Sequence, residues 1–302
     1  MVLIAPRMPG SCFKNFNQSK IILMRVLLLF IAAVFCSAIA SAQEITISGY
    51  VKDEASDSLL TGKDTLLAKP ISSFTETLNK MNERKQQIRS LIIPAALTAY
   101  GFVALENDGL KLLDDRIKDE VWTKRPHKSA NFDDALQYIP GFSVYVLNGL
   151  GVQGKNNLLD ATRQYFISSF MMMVVVQSFK KITSLKRPDG FGTNAFPSGH
   201  TSTAFVAAEF LNQEYKGRSP WYGITGYAMA TVVGYMRIYN NRHWFKDVVT
   251  GAGIGIGVTK FVYWIYPSIK RKFFKDRPMK TIIMPYYQNG GGGIALAYNF
   301  ND

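Results

Sequence analysis

Cysteine and histidine are scarce in this 302-residue chain: there are two cysteines, Cys12 and Cys36, and three histidines, His127, His200 and His243. Two cysteines cannot build a disulfide framework or a cysteine-based zinc or iron–sulfur site, and three histidines leave little for a histidine-built metal centre. Charge is thin as well, with Asp, Glu, Lys and Arg at 19% against roughly 25% in a soluble domain. Acid is the charge in short supply, 22 Asp and Glu against 35 Lys and Arg, for a net +13. The apolar and aromatic content, 47% and 13%, excludes an intrinsically disordered chain. The length accommodates one domain of about 200 residues with appendages, or two small ones.

The excess charge is localised. Residues 1–25 carry Arg7, Lys14, Lys20 and Arg25 with no acid, and residues 267–280 carry six bases against Asp276, so these two stretches hold nine of the thirteen excess charges. A nucleic-acid binder spreads bases over a folded face, whereas bases that bracket apolar sequence follow the positive-inside pattern of membrane proteins. A membrane is therefore an expected partner, and nucleic acid is not.

Residues 24–43 run from a basic residue through an apolar stretch to Ala40-Ser41-Ala42, the pattern of a secretory signal or, uncleaved, of an anchor; translation starting at Met24 fits this better than Met1. Residues 43–90 are polar, with a strand-like piece from Ile45 to Val51 and a charged helix over about 73–89. Apolar runs follow at 91–105, 136–152, 165–179, 201–211, 221–236 and 248–266. Several fall short of the roughly 20 residues that cross a bilayer, so an all-α helical bundle is the architecture common to them. Residues 108–122 set Leu110, Leu112, Leu113, Ile117 and Val121 among charges, as an amphipathic helix on a membrane or on the bundle does. The tail alternates apolar residues at Ile294, Leu296, Tyr298 and Phe300 after four glycines, which predicts a β-hairpin. The division expected is 1–42, a polar segment 43–90 in the periplasm, a helical domain 91–266 with its core at 136–266, and a basic linker with hairpin at 267–302.

Three clusters gather the unusual polar residues. In Lys180-Lys181-Ile182-Thr183-Ser184-Leu185-Lys186-Arg187-Pro188, Lys180 and Arg187 share a face if the segment is helical, and Pro188 ends the helix. Pro197-Ser198-Gly199-His200 enters an apolar helix. There unpaired N–H groups, the positive end of the dipole, a hydroxyl and a glycine form an anion pocket beside a histidine. In the third cluster, from Arg237 to Asp247, His243 and Asp247 are four apart, so on a helix the carboxylate fixes one imidazole nitrogen and frees the other. Taken singly, these are a basic membrane flank, a Ser-capped helix and a helix-start salt bridge. Taken together, an up-down bundle brings them to one end, where Lys180, Arg187 and Arg237 suit the equatorial oxygens of a transferring phosphoryl group without a metal.

The three clusters resemble the signature K-x6-RP, PSGH and SR-x5-H-x3-D of the type 2 phosphatidic acid phosphatase superfamily, which also contains bacterial acid phosphatases and vanadium haloperoxidases. Order and spacing match over residues 136–266; the one departure is Met236 in place of the usual serine. The resemblance implies that His243 attacks phosphorus to form a phosphohistidine, Asp247 orients it, and His200 protonates the leaving alkoxide and then helps activate water. Lys180, Arg187, Ser198, the Gly199 amide and Arg237 would hold the phosphoryl oxygens, with no cofactor and no metal. His127 is expected at the surface, and Lys181, Lys186 and Arg242 outside direct contact. The activity implied is a phosphatase on lipid phosphates such as lipid A, undecaprenyl pyrophosphate, phosphatidic acid or phosphatidylglycerophosphate at the periplasmic face of the inner membrane. Alternatives are a secreted soluble acid phosphatase, a vanadate-binding haloperoxidase, and a membrane protein whose site is degenerate. The periplasmic placement requires 91–105 not to cross: it is expected to be interfacial or packed on the bundle.

Overall fold

The computed structural model describes residues 68–273, 281–288 and 291–298. The expected signal segment 24–42, the strand-like piece 45–51 and the basic residues 275–280 lie outside these. Among the described residues the order is α1 (Ala68–Ser90), α2 (Ile92–Glu106), α3 (Asp108–Lys118), a π-turn (Asp119–Thr123), α4 (Asp133–Leu136), α5 (Ile139–Gly149), α6 (Leu158–Thr183), α7 (Gly199–Tyr215), α8 (Pro220–Tyr239), α9 (Phe245–Phe273) and a terminal hairpin. Every apolar run is a helix, so the chain is a helical bundle. In the hairpin, β1 (Thr281–Gln288) pairs antiparallel with β2 (Gly291–Tyr298), Gln288 opposite Gly291. Three of the four glycines expected to make the turn therefore lie in the strand.

The centre of the bundle is α7. Its residues Ala204, Val206, Ala207, Ala208 and Phe210 are buried, and α5, α6, α8 and α9 surround it. Small residues let backbones approach closely. A Cβ on Gly255 of α9 would stand 2.5 Å from the Ser202 carbonyl oxygen of α7, and one on Gly253 would stand 2.7 Å from the Pro94 carbonyl oxygen of α2. Contacts of Gly101 with Thr250 and of Gly257 with Pro94 run in opposite senses along the two helices. Thus α2 lies antiparallel along the first half of α9: it is packed on the bundle, not laid on an interface. The stretches Glu76–Glu106 and Phe245–Lys272 are long and apolar enough to cross a membrane by length and composition.

Large apolar side chains face outward on α2 (Ile92, Ile93), α5 (Phe142, Val146), α6 (Phe166, Phe170) and α8 (Trp221, Ile224). Contiguous outward apolar surface of this kind marks contact with a membrane or a partner. The stretch 108–122, expected as one amphipathic helix, is divided between α3 and the π-turn: Leu110 and Ile117 are half-buried, Leu112 and Leu113 are exposed, and the buried residue is Asp114.

The alternation of α6, α7, α8 and α9 brings the end of α6, the start of α7, the end of α8 and the start of α9 to one end of the bundle. The three clusters meet there.

Candidate active site

The first cluster departs from its expected helix. α6 stops at Thr183, because Ser184 adopts a left-handed conformation (φ 44°) and returns its N–H to the Lys180 carbonyl. Arg187 therefore stands on a loop, not on the helical face of Lys180. The loop is fastened by Arg187 N–H to Gly192 O (3.3 Å), Ala195 N–H to Leu185 O (3.0 Å) and Trp244 Nε1–H to Lys186 O (2.9 Å). Arg242 adds an ion pair to Asp189 at 3.3 Å. Lys180 Nζ donates to the Asn194 carbonyl at 3.0 Å. The short segment after Asp189 carries the outward-facing Phe191 at its tip.

Ser198 caps α7. Its Oγ receives Thr201 N–H at 3.4 Å and lies 2.9 Å from Thr201 Oγ1, and the residue is fully buried. Its hydroxyl thus serves to aim the first amides of α7, while Gly199 is half-buried at their head. A Cβ on Gly199 would come within 4.0 Å of Lys180 Nζ, so the lysine of the first cluster reaches the start of α7. Ser198 N–H donates to the Asp247 carbonyl at 3.0 Å, tying the second cluster to the third.

In the third cluster α8 ends at Tyr239, and the chain turns back through Asn241, whose φ is 55°. The amides of Arg242 and His243 both donate to the Arg237 carbonyl, at 3.0 and 3.2 Å. His243 precedes α9 and is not on it. The carboxylate still reaches it: Asp247 Oδ2 is 3.4 Å from His243 Nδ1 and also accepts Trp244 N–H at 2.9 Å. That second bond is half of a capping box, satisfying an amide at the start of α9. His243 and Asp247 are both buried. Burial holds the His243 imidazole below its ordinary value; the hydrogen bond and charge of Asp247 oppose this, and the positive charges of Lys180 and Arg187 add to it. The first and third clusters therefore act on one imidazole, whose Nδ1 faces a carboxylate. Met236, where the signature has serine, is buried in the helix packing.

Sequence reasoning missed four residues at this end. Asp133, fully buried, forms an ion pair with Arg237, and Asp134 stands 3.0 Å from His200 Nε2 and 3.7 Å from Arg237. Asp114 accepts Lys246 N–H at 3.0 Å and Lys246 Nζ at 2.6 Å. His127, expected at the surface, is instead stacked on Tyr239 (centroids 3.7 Å apart), with Nε2 2.8 Å from the Tyr239 carbonyl oxygen. Its partners are aromatic residues on two different elements, which spacing does not reveal. The signal for Asp133 and Asp134 was their position as adjacent acids at the mouth of an apolar run, in an acid-poor chain.

A model of the PAP2 superfamily matches residues 118–271, slightly more than half of the chain. The chain belongs to the PAP2 superfamily. Among curated relatives, it is 36% identical over 163 residues to a lipid A 1-phosphatase of Porphyromonas gingivalis, covering 53% of this chain and 36% of that protein. It is 33% identical over 75 residues to a lipid A 4′-phosphatase of the same organism (25% and 31% covered), and 30% identical over 115 residues to lipid phosphate phosphatase 1 of Arabidopsis thaliana (34% and 31%). The chain spans about a third of the length of these relatives. Among solved structures, Aquifex aeolicus LpxE is 24% identical with a TM-score of 0.36, covering 44% of this chain and 84% of that one. A PAP2-type phosphatidylglycerolphosphate phosphatase of Bacillus subtilis is 18% identical with a TM-score of 0.40, covering 60% and 98%.

Proposed function

We propose that this PAP2 protein is a membrane phosphatase that hydrolyses lipid phosphate esters through a phosphohistidine on His243. The observation that carries the reading is the buried His243–Asp247 pair, 3.4 Å apart through Nδ1, with the opposite nitrogen left to attack and two cations acting on the ring. A neutral imidazole is the nucleophilic form, and burial keeps it neutral. Lys180, Arg187, Arg237 and the Gly199 amide take the phosphoryl oxygens, with Ser198 capping the turn of α7 that begins at Gly199. Three cations supply the charge stabilisation that phosphoryl transfer requires, so no step in this reading needs a metal. His200 is the acid that protonates the leaving oxygen and the base that then takes a proton from water.

The outward apolar belt supports a lipid substrate over the soluble alternative. Lipid A stands first among the candidates, because two of the relatives carry it in their names. The site end is read as facing out of the cytoplasm. Bases lie at both ends: Lys80, Arg84, Lys85 and Arg89 before α2 with Lys155, Lys216, Arg218 and Arg271 at the opposite end, and Lys111, Arg116, Lys118, Lys124, Arg125 and Lys128 between α2 and α4 beside the motif cations at the site end, so charge alone does not orient the bundle. An export signal at 24–42 places the site end outside when α2, which lies along the site-end half of α9, does not complete a crossing. A cysteine at Asn194 should react with a membrane-impermeant reagent from outside; labelling from the cytoplasm alone refutes the orientation.

The activity is tested by phosphate release from purified full chain in detergent, with chelator, across lipid A, undecaprenyl pyrophosphate and phosphatidic acid. His243→Ala should abolish both turnover and trapped phosphoenzyme; near wild-type turnover in this variant removes the assignment.

A further inference from the structure

The segment 125–134 lies outside every motif, yet it is clipped onto the third cluster at several points. His127 stacks on Tyr239 and binds its carbonyl. The Asn240 side chain bonds the Ala130 backbone in both directions, Nδ2 donating to its carbonyl at 2.7 Å and Oδ1 accepting its N–H at 3.0 Å. The next turn opens with Asp133 and Asp134. The docking delivers two adjacent carboxylates to two different motifs, Asp133 to Arg237 and Asp134 to His200 Nε2 at 3.0 Å.

Resting on the phosphatase reading, we propose that Asp134 is a positioning residue for His200, while Asp133 is the buried counter-charge that aims Arg237. Asp134 is to His200 what Asp247 is to His243. Each carboxylate takes one ring nitrogen, Nε2 in the first pair and Nδ1 in the second, and leaves the opposite nitrogen of that ring to the substrate. The two halves of the reaction balance through these pairs. In the first half the His243 nitrogen bonds to phosphorus as the ester P–O bond breaks, and the leaving oxygen takes the proton of the His200 imidazolium. In the second, His200 takes a proton from water as the water oxygen bonds to phosphorus and the P–N bond breaks, releasing inorganic phosphate and restoring both rings. His200 must hold one orientation through both transfers, although its side chain is 39% exposed. A carboxylate bonded to the ring supplies that restraint.

Asp134 is itself 58% exposed, and an ion pair so open to solvent contributes little to folding. Its removal therefore leaves the bundle intact and isolates the catalytic effect. General-acid help matters where the leaving group is a poor one, and little where it departs readily. This gives a readout that a merely structural role would not move.

The test uses purified full chain in detergent: wild type, Asp134→Ala, Asp134→Glu, His200→Ala and the Asp134→Ala/His200→Ala double variant. Each is assayed on dioctanoyl phosphatidic acid, with its alkoxide leaving group, and on p-nitrophenyl phosphate. Asp134→Ala should lose about tenfold to a hundredfold in kcat/KM, which reports the step that expels the leaving group, on the lipid, the range of a charge-assisted hydrogen bond, and under about threefold in kcat/KM on the aryl ester. Asp134→Glu should recover part of the loss, and in the His200→Ala background the Asp134 change should have no further effect. Equal losses on both esters, or losses that add to those of His200→Ala, overturn the inference while leaving the phosphatase reading standing. A lowered KM with unchanged kcat also overturns it, because Asp134 would then only be filling the anion site. A wild type that releases phosphate from neither ester removes the phosphatase reading itself, and this inference with it.

Discussion

Replacing Asp114 tests how α3 holds the start of α9, the helix that carries Asp247. Asp114 is 2% exposed, and its two oxygens take the backbone N–H and the ammonium of Lys246, at 3.0 and 2.6 Å. Burial pushes the Asp114 carboxyl above its ordinary value more strongly than Lys246 pulls it down. The sign matters: a raised carboxyl binds its proton more tightly folded than unfolded, so ionising it costs stability as pH rises through the folded value. Desolvation thus outweighs attraction, and the pair as a whole adds little to stability. Breaking it from one side is another matter. Asp114→Leu strands a buried ammonium, with an expected loss of about 3–5 kcal/mol, or about 6–20 °C in apparent melting temperature at about 2–4 °C per kcal/mol. Lys246→Met should cost less, because the carboxyl left behind can take up a proton. The double replacement Asp114→Leu/Lys246→Met should recover most of the loss, as buried pairs exchanged for apolar groups do. The assay is thermal unfolding of purified full chain in detergent. If the double variant melts as low as Asp114→Leu, the cost lies in α3 packing and the orphaned-charge argument is refuted.

Two further outcomes follow from the geometry. Because the folded chain holds His243 below its ordinary value while the unfolded chain protonates it near pH 6.5, stability should fall as pH drops through about 6.5 toward the folded value. His243→Gln should flatten the slope of melting temperature between pH 7 and 5, and an unchanged slope would refute the depressed imidazole. Gly253→Ala places a Cβ 2.7 Å from backbone atoms of Pro94 and Thr98 and should cost about 1–3 kcal/mol. Gly149→Ala, with nothing within 4 Å of its Cβ, should change melting little; equal effects would refute the close packing of α2 on α9.

The helices were legible because each apolar run is local, and the site was legible because its residues sit within three short windows whose order survives folding. Two local details were not. Arg187 was expected on a helical face with Lys180, but Ser184 ends α6 one turn after Lys180, and a left-handed serine has no reliable signal in sequence. For α2 two placements were open, interfacial or packed on the bundle, since its apolar length fits both. Gly253 and Gly257 of α9, 159 and 163 residues from Pro94 in sequence, decide that it packs along the bundle.

The carboxylates illustrate the harder limit. Asp114, Asp133 and Asp134 each meet a base or histidine far along the chain; Asp114 and Lys246 are 132 residues apart. Nothing in local spacing could pair them. Yet the shortage of acid that marks the sequence follows from where acids are used. Asp114, Asp133 and Asp247 are buried at the site end, each against a base or histidine of the third cluster. At the opposite end the buried Glu209 and Asp160 meet Lys260 and Lys270, both at 3.0 Å, and Glu214 takes the Tyr263 hydroxyl at 2.5 Å. A carboxylate inside an apolar bundle is costly unless a partner meets it, so each buried acid marks a place where a cation, a hydroxyl or an imidazole is being held. In a chain of this composition the acids near motif residues are therefore the positions to mutate first, and Asp134, exposed enough to leave folding alone, separates catalysis from stability most cleanly.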